Sequence, residues 1–304
     1  MMSTSKVPSG ILGFPVTPFT QRGKVDVHAL EANVEFLVRS GLSAVFVCCG
    51  SGEFQSLSLE ECMDIIDTAV GATKGRVPVY VGVGGNLSMA LRQLHAAEAA
   101  GVDGCLIFPP YLIHGEQEGL YEYVKTIASS SDLNTIIYQR DSAIFTVETV
   151  QRLAEIPQVV GLKDGHGNME LNIELVQTLG DRLAWCNGMP FAEVTMPAYA
   201  AVGFRTYSSA ISNYIPHISR MFFTALENQD REQLHALYQV ALMPINQIRK
   251  LRKGYAVSLI KAGMEIMGLP TGSMVRPPLV PVEPAHYHML ERVLESVLQA
   301  FPVP

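Results

Sequence analysis

Short, continuously apolar runs alternate with longer amphipathic stretches along the first two thirds of the chain. Runs of this kind are typical of parallel strands that are buried on both faces. Eight of them predict strands over residues 11–15, 44–49, 77–83, 104–108, 135–138, 159–163, 183–186 and 204–208. The stretches between them repeat apolar residues at helical spacing, for example over residues 27–39, 59–72 and 89–100.

The number of strand–helix units distinguishes two α/β architectures. Eight units in about 225 residues match the size of a (β/α)8 barrel, the TIM barrel. A doubly wound open sheet is the alternative, and it fits about six or seven units. Residues 214–228, 231–249, 255–267 and 286–300 then show only helical periodicity. The sequence therefore predicts a catalytic barrel over residues 1–229 and a C-terminal three-helix extension over residues 230–304.

Composition and charge narrow the class of protein. The chain has 304 residues, of which 48% are hydrophobic and 17% charged, and this excludes disordered and fibrous proteins. The net charge of −7 argues against nucleic-acid and membrane-surface partners. No segment approaches the roughly 20 apolar residues of a membrane helix. The five cysteines lack the spacing of a disulfide framework or a metal finger, which favours reduced thiols and a cytoplasmic location.

The sixth apolar run ends in a lysine, Lys163. Functional residues of a barrel collect at the C-terminal ends of its strands, so this lysine is expected at the barrel mouth. Apolar surroundings favour the neutral amine of a lysine, which is the form that attacks a ketone to give an imine. The alternative is a structural lysine paired with Asp164 or Glu53. The pattern favours the nucleophile.

Other strand ends supply candidate partners for this lysine. Tyr138 ends the fifth strand, where its phenol can shuttle protons, unless it is a core tyrosine with a satisfied hydroxyl. Gly50 and Ser51 follow the second strand in a turn whose amides and hydroxyl can hold a carboxylate. Arg140 is a candidate clamp for a second carboxylate, with a solvated loop arginine as the alternative. Further candidate substrate-binding residues at strand ends are Gly188, Ser208 and Ser209.

Several motifs together resemble the dihydrodipicolinate synthase / N-acetylneuraminate lyase superfamily of Schiff-base-forming barrel enzymes. They lie at residues 14–19, 50–53, 117–121, 138 and 161–164. The resemblance implies a TIM barrel with a helical tail, a homotetramer built from dimers, and no metal or organic cofactor. It also implies Lys163 as the imine-forming lysine, Tyr138 as the proton shuttle, and Gly50-Ser51 as the cradle of the α-keto carboxylate.

The chain departs from the synthase branch of that superfamily at three places. The turn reads Gly50-Ser51 where the synthases have a second threonine. Leu112 occupies the position of the tyrosine that synthases donate across a dimer interface, and Ala143 that of a substrate-binding arginine. These departures argue against dihydrodipicolinate synthesis.

A different branch of the superfamily matches better. Residues 138–141, 163–168 and 203–210 resemble the branch that converts 5-dehydro-4-deoxyglucarate into 2,5-dioxopentanoate, with loss of water and carbon dioxide. The implied partner is a small-molecule keto-diacid, which needs two anion sites. Ser51 and Arg140, with Ser208 or Ser209, are the candidate groups.

Two other functions are consistent with the same residues. The first is an aldolase that cleaves a 2-keto-3-deoxy sugar acid to pyruvate, because it begins from the same iminium. The second is a catalytically silent barrel that binds a sugar acid. The presence of both Lys163 and Tyr138 argues against the silent barrel.

Overall fold

Eight parallel strands close into a barrel in sequence order. The computed structural model describes residues 9–272 and 274–303. The strands are β1 (Gly10–Gly13), β2 (Ala44–Val47), β3 (Val79–Gly85), β4 (Gly104–Pro110), β5 (Asn134–Gln139), β6 (Val159–Asp164), β7 (Ala184–Asn187) and β8 (Thr206–Ser209). Strand β1 pairs with β8 and closes the cylinder. The predicted (β/α)8 architecture is confirmed, and the open sheet is wrong.

A helix follows each strand and covers the outside of the barrel. These helices are α1 (Val27–Arg39), α2 (Leu59–Thr73), α3 (Leu87–Ala99), α4 (Gln117–Ala128), α5 (Val147–Ala154), α6 (Met169–Leu179), α7 (Ala192–Ala201) and α8 (Pro216–Glu227). Polar residues fix several of their starts. The side chain of Asn86 accepts a hydrogen bond from the Met89 amide, so α3 begins two residues earlier than its apolar periodicity predicts.

Apolar side chains form two layers, one inside the barrel and one between the strands and the helices. In the inner layer, the rings of Phe14, Phe46 and Tyr80 stack in sequence, with centroid distances of 4.6 and 4.7 Å. The interior is therefore a packed core and not a channel, as in other barrels of this size. Lys163 is the charged side chain that enters this layer from β6, where it lies against Phe14.

The chain beyond α8 is helical, as predicted. The segments are α9 (Arg231–Leu237), a π-helical turn (Tyr238–Leu242), α10 (Met243–Lys250), α11 (Tyr255–Ile266) and α12 (Pro284–Ala300). Pro244 has no N–H, and its ring would clash with the carbonyl of the preceding turn, which accounts for the π-helical turn just before it. The division into a barrel and an extension at residue 230 stays a prediction.

Within residues 9–272 and 274–303, no helix is both long and apolar enough to span a bilayer.

Candidate active site

A cavity of about 910 Å³ opens where the strands end and the following loops begin. Its wall contains all eight residues that the sequence analysis selected, namely Gly50, Ser51, Tyr138, Arg140, Lys163, Gly188, Ser208 and Ser209. They come from five different strand ends. The closed barrel brings them together although they span about half of the chain.

Lys163 lies at the C-terminal end of β6 and is only 6% exposed. Its Nζ atom lies 4.1 Å from the ring centroid of Phe14 and 4.5 Å from that of Tyr138. The β5–β6 register places Tyr138 directly beside Lys163 on the neighbouring strand. The amine is therefore held between two aromatic faces, at the wall of the cavity.

The two carboxylates of the structural alternative are engaged elsewhere. Glu53 accepts a hydrogen bond from Nζ of Lys261 at 2.6 Å, with both side chains completely buried. The carboxylate of Asp164 accepts hydrogen bonds from the side chains of Gln139, Asn172 and Tyr199 and from the amides of His166 and Gly167. Neither acid forms the ion pair with Lys163 that the alternative requires, so the Lys163 amine faces the cavity.

The phenol of Tyr138 takes part in a short hydrogen-bonded chain. It donates to the carbonyl oxygen of Gly188 at 3.3 Å and accepts from Nη1 of Arg140 at 3.2 Å. The guanidinium of Arg140 also donates from Nε to Asp141 at 3.1 Å. Tyr138 is thus connected to a cation at the cavity wall, which an ordinary core tyrosine is not.

Two glycines make room for the Lys163–Tyr138 pair. A Cβ atom at Gly188 would lie 2.6 Å from Cγ of Lys163, and one at Gly165 would lie 2.8 Å from the Tyr138 hydroxyl oxygen. Both separations are shorter than atoms tolerate. Any larger residue at these positions would displace the amine or the phenol.

Buried thiols near Lys163 do not compete with it as nucleophiles. Burial raises the pKa of Cys49 and of Cys186 to about 12, although the nearby Lys163 opposes the shift in both. Both thiols are therefore protonated at neutral pH. A thiol is a poor nucleophile in that form.

The turn from Gly50 to Glu53, which we call the cradle turn, lies at the end of β2. Two of its residues line the cavity, Gly50 and Ser51. The carbonyl oxygen of Gly52 accepts a hydrogen bond from the Thr17 hydroxyl at 2.7 Å, which fixes the turn to the segment that follows β1. Gly50 is exposed and Ser51 is half-buried, so a ligand in the cavity can reach this turn.

The two candidate serines of β8 differ in where their hydroxyls point. Ser208 donates weakly, at 3.4 Å, to the carbonyl oxygen of Asn187. Ser209 donates at 2.5 Å to Glu193, and its oxygen accepts from the Ser212 amide. The Ser209 hydroxyl is therefore occupied by protein groups, and Ser208 is the better placed of the two for a ligand.

Two buried acids of this region, Asp164 and Glu193, have roles that the sequence analysis did not predict. Asp164 orders the loop after β6, and Glu193 accepts hydrogen bonds from Ser209 and Ser219. The position of Asp164 directly after a strand-ending lysine could have indicated a role at the barrel mouth. No sequence pattern indicated the role of Glu193. It lies at the start of a helix, where acids are common, and its partners are 16 and 26 residues away in sequence.

Glu193 makes the stability of the fold dependent on pH. Burial raises its pKa from 4.5 to about 7, against the opposing hydrogen bonds from Ser209 and Ser219. The folded state thus holds this proton more tightly than the unfolded state, so stability falls as pH rises through that interval. We expect Glu193→Gln to abolish this pH-dependent loss, which amounts to up to about 3 kcal/mol in the free energy of unfolding. Urea unfolding of both proteins between about pH 5 and pH 8 tests this, and parallel pH profiles would contradict it.

Residues 9–272 and 274–303 hold no cluster of three or more His, Cys, Asp or Glu side chains that could ligate a metal ion.

Comparison with known proteins assigns the chain to a family. A family model, the Dihydrodipicolinate synthetase family, matches residues 7–297. The chain belongs to this family. It is 60% identical over 302 residues to a Bacillus subtilis (strain 168) protein named "Probable 5-dehydro-4-deoxyglucarate dehydratase". The alignment covers 99% of this chain and 98% of that protein. An Oceanobacillus iheyensis protein of the same name is 56% identical, and the alignment covers 98% of this chain and 97% of that protein.

Solved structures support the fold of the Dihydrodipicolinate synthetase family for this chain. The crystal structure of dihydrodipicolinate synthase from Oceanobacillus iheyensis superimposes with a TM-score of 0.89 and 26% sequence identity. The alignment covers 96% of this chain and 97% of that one. The family resemblance predicted from the motifs is therefore confirmed.

Proposed function

We propose that this protein is a Schiff-base-forming lyase that dehydrates and decarboxylates 5-dehydro-4-deoxy-D-glucarate to 2,5-dioxopentanoate. The observation that carries the proposal is the Lys163 amine, held beside the Tyr138 phenol at a cavity that also presents a cradle turn and a guanidinium. The names of relatives at 56–60% identity support the choice of this reaction within the family. The reaction is that of a decarboxylating carbon–oxygen lyase.

The first half of the reaction is a dehydration. The neutral amine of Lys163 attacks the ketone, and loss of water gives a protonated imine. This cation acidifies the adjacent methylene, from which Tyr138 removes a proton, directly or through a water. The resulting enamine expels the β-hydroxyl, which leaves as water after taking up a proton, and a conjugated iminium remains. The Tyr138 phenol is well placed for these transfers, because it lies on the strand beside Lys163.

The second half is a decarboxylation through the same iminium. The bond between the distal carboxylate and its carbon breaks, and its electron pair moves through the conjugated double bond to the iminium nitrogen. Carbon dioxide leaves, and the dienamine that remains takes up protons at carbon and becomes the aldehyde-bearing imine. Hydrolysis then frees Lys163 and the product. One diacid dianion and one proton thus give the product monoanion, one water and one carbon dioxide.

The diacid needs an anion site at each end. We assign the carboxylate next to the ketone to Gly50 and Ser51, since this turn lines the cavity with Lys163. We assign the distal carboxylate to Arg140, with Ser208 as a hydrogen-bond donor, and Gly188 as the glycine that leaves room for the bound imine. Ser209 also lines the cavity, but its hydroxyl is engaged by Glu193, so we assign it to the support of the wall and not to the carboxylate. No cofactor is required by this scheme, because the iminium serves as electron sink for both eliminations.

A product assay tests the proposed reaction. Purified protein is incubated with a panel of keto-deoxy diacids and monoacids, and carbon dioxide, 2,5-dioxopentanoate and pyruvate are measured. Release of carbon dioxide with 2,5-dioxopentanoate from the glucarate-derived diacid is expected. Pyruvate as the carbon product would instead identify an aldolase. No turnover and no borohydride-trapped imine with any ligand would identify a binding protein.

The role of Arg140 predicts a difference between two ligands. We expect Arg140→Met to weaken the diacid roughly ten- to a hundred-fold, because a charge-assisted hydrogen bond is lost, and to leave pyruvate binding nearly unchanged. Dissociation constants measured for both ligands test this. Pyruvate is the internal control, since it has no distal carboxylate. Equal losses would show that Arg140 acts on the site through its hydrogen bond to Tyr138.

We further infer a homotetramer built from dimers and a cytoplasmic location. Three consecutive apolar residues beside the cavity, Tyr111, Leu112 and Ile113, are 71%, 81% and 63% exposed, which suits burial against a second copy. The five cysteines are all buried free thiols, which suits a reducing compartment. Sedimentation equilibrium measures the assembly directly.

A further inference from the structure

The C-terminal extension forms part of the cavity wall. Ala256, Val257 and Ile260 of α11 line the cavity together with Pro278, which lies between α11 and α12. All four side chains are apolar, so they enclose the ligand without binding its charges.

Glu53 connects the cradle turn to that extension. It is the last residue of the turn, with a left-handed backbone (φ 59°), and its side chain is completely buried. One carboxylate oxygen accepts from Nζ of Lys261 in α11, and the other accepts from the amide of Arg276 at 2.8 Å. Both oxygens of this turn residue are therefore bound by groups beyond residue 260.

Lys261 is bound as completely as its partner. Its Nζ atom donates to Glu53 at 2.6 Å and to the carbonyl oxygen of Met274 at 2.7 Å, and it lies 4.3 Å from the ring centroid of Phe19. Burial lowers the pKa of Lys261, although Glu53 opposes the shift. Neither Lys261 nor Glu53 lines the cavity. The pair therefore lies behind the cradle turn.

Stability alone does not account for such a pair. Two buried charges lose their hydration, and their attraction often does no more than offset that loss, so apolar replacements are frequently as stable. What an ion pair of this kind does supply is a fixed position, because each charge requires its partner at short range. Here the fixed element is a turn with a left-handed residue and an exposed glycine, and its other hydrogen bonds come from residues 49–56 and from the Thr17 hydroxyl.

We propose that the Lys261–Glu53 ion pair is the means by which the C-terminal extension holds the cradle turn in its carboxylate-binding geometry. Thr17 holds the turn from the β1 side, and Glu53 holds it from the α11 side. Lys261 and Glu53 are positioning residues. The inference rests on the proposed function, which uses Gly50 and Ser51 to bind the α-keto carboxylate.

Two variants separate positioning from stability. Lys261→Met leaves Glu53 buried without its cation, whereas the double variant Glu53→Gln/Lys261→Met removes both charges and keeps the side-chain lengths. We expect both to weaken pyruvate binding about tenfold, since the tie to α11 is lost in each. The melting temperature should fall in the single variant and recover in the double one. In Lys261→Met, the rate at saturating diacid should stay within about twofold of the wild type, because Lys163, Tyr138 and the residues of the cradle turn are untouched.

Glu61→Gln is the matched control. Arg276 binds Glu61 in α2 through both carboxylate oxygens, so this pair also ties the extension to the barrel, but Glu61 lies outside the cradle turn. Glu61→Gln should lower the melting temperature and leave pyruvate binding unchanged.

Three outcomes would contradict the inference. A double variant that binds pyruvate like the wild type would make the ion pair purely structural. Equal weakening by Glu61→Gln would mean that any loosening of the extension affects the site. A wild-type protein that borohydride and pyruvate fail to label would contradict the Schiff-base function itself, and this inference with it.

Discussion

Lys163→Met should abolish imine formation and reduce turnover by on the order of 10⁴-fold or more, because the reaction loses its covalent nucleophile. Methionine keeps the length of the side chain and its contact with Phe14. In the wild type, borohydride with pyruvate or the diacid should add one ligand mass per chain, on the peptide that contains Lys163. In the variant, no mass should be added. Peptide mass spectrometry and the product assay measure both effects.

Lys261 is the internal control for this labelling experiment. It is the other lysine that lies in a strongly apolar run, and it is more deeply buried than Lys163. Its ammonium group is held in a buried ion pair with Glu53, and Lys261 does not line the cavity, so a ketone bound there does not reach it. A ligand mass on Lys261, or undiminished labelling of Lys163→Met, would refute the assignment of the nucleophile.

Tyr138→Phe should retain the fold and lose most of the activity. General acid–base groups contribute about 10²–10⁴-fold to a rate, and we expect a loss in that range. The change removes one hydroxyl and with it the hydrogen bonds to Gly188 and Arg140, while the ring keeps its contact with Lys163. The melting temperature should therefore change little. Steady-state kinetics and thermal unfolding give the two readouts.

The labelling reaction distinguishes the roles of Tyr138. A phenol that moves protons is needed for both imine formation and methylene deprotonation, so borohydride labelling of Tyr138→Phe should be slowed but still reach completion. Near-normal turnover in this variant would make Tyr138 a packing residue. A large drop in melting temperature together with the loss of activity would point to the same conclusion.

The strands and most of the helices were predictable because their signals are local. A strand buried on both faces is apolar at successive positions, and each of the eight predicted runs overlaps its observed strand over more than half of its length. The positions at which the strands begin and end were less predictable than their centres. The first run was predicted over residues 11–15 and the strand spans Gly10–Gly13, because Phe14 and Pro15 continue the apolar pattern beyond the last strand pairing.

The proximity of Lys163 and Tyr138 was predictable for a topological reason. In a parallel barrel the strand ends converge, so a lysine and a tyrosine that end consecutive strands must be near each other. The partners of the buried acids were not predictable in this way. The Glu53–Lys261 pair joins residues 208 positions apart, and no periodicity within either segment encodes that contact. Similarly, the sequence could not distinguish Ser208 from Ser209, because only the Glu193 carboxylate decides which hydroxyl is occupied.

The carboxylate next to the nucleophile in sequence has a consequence for the charge of the intermediate. Successive side chains of a strand point to opposite faces, so Asp164 points away from the barrel interior that Lys163 enters. Its two oxygens are shared among five N–H and O–H donors. An acid so fully bound does not serve as counter-ion to the imine nitrogen that we propose on Lys163. In the proposed mechanism that nitrogen keeps the electron demand on which both bond-breaking steps depend, and an Asp164 carboxylate turned toward it would weaken that demand.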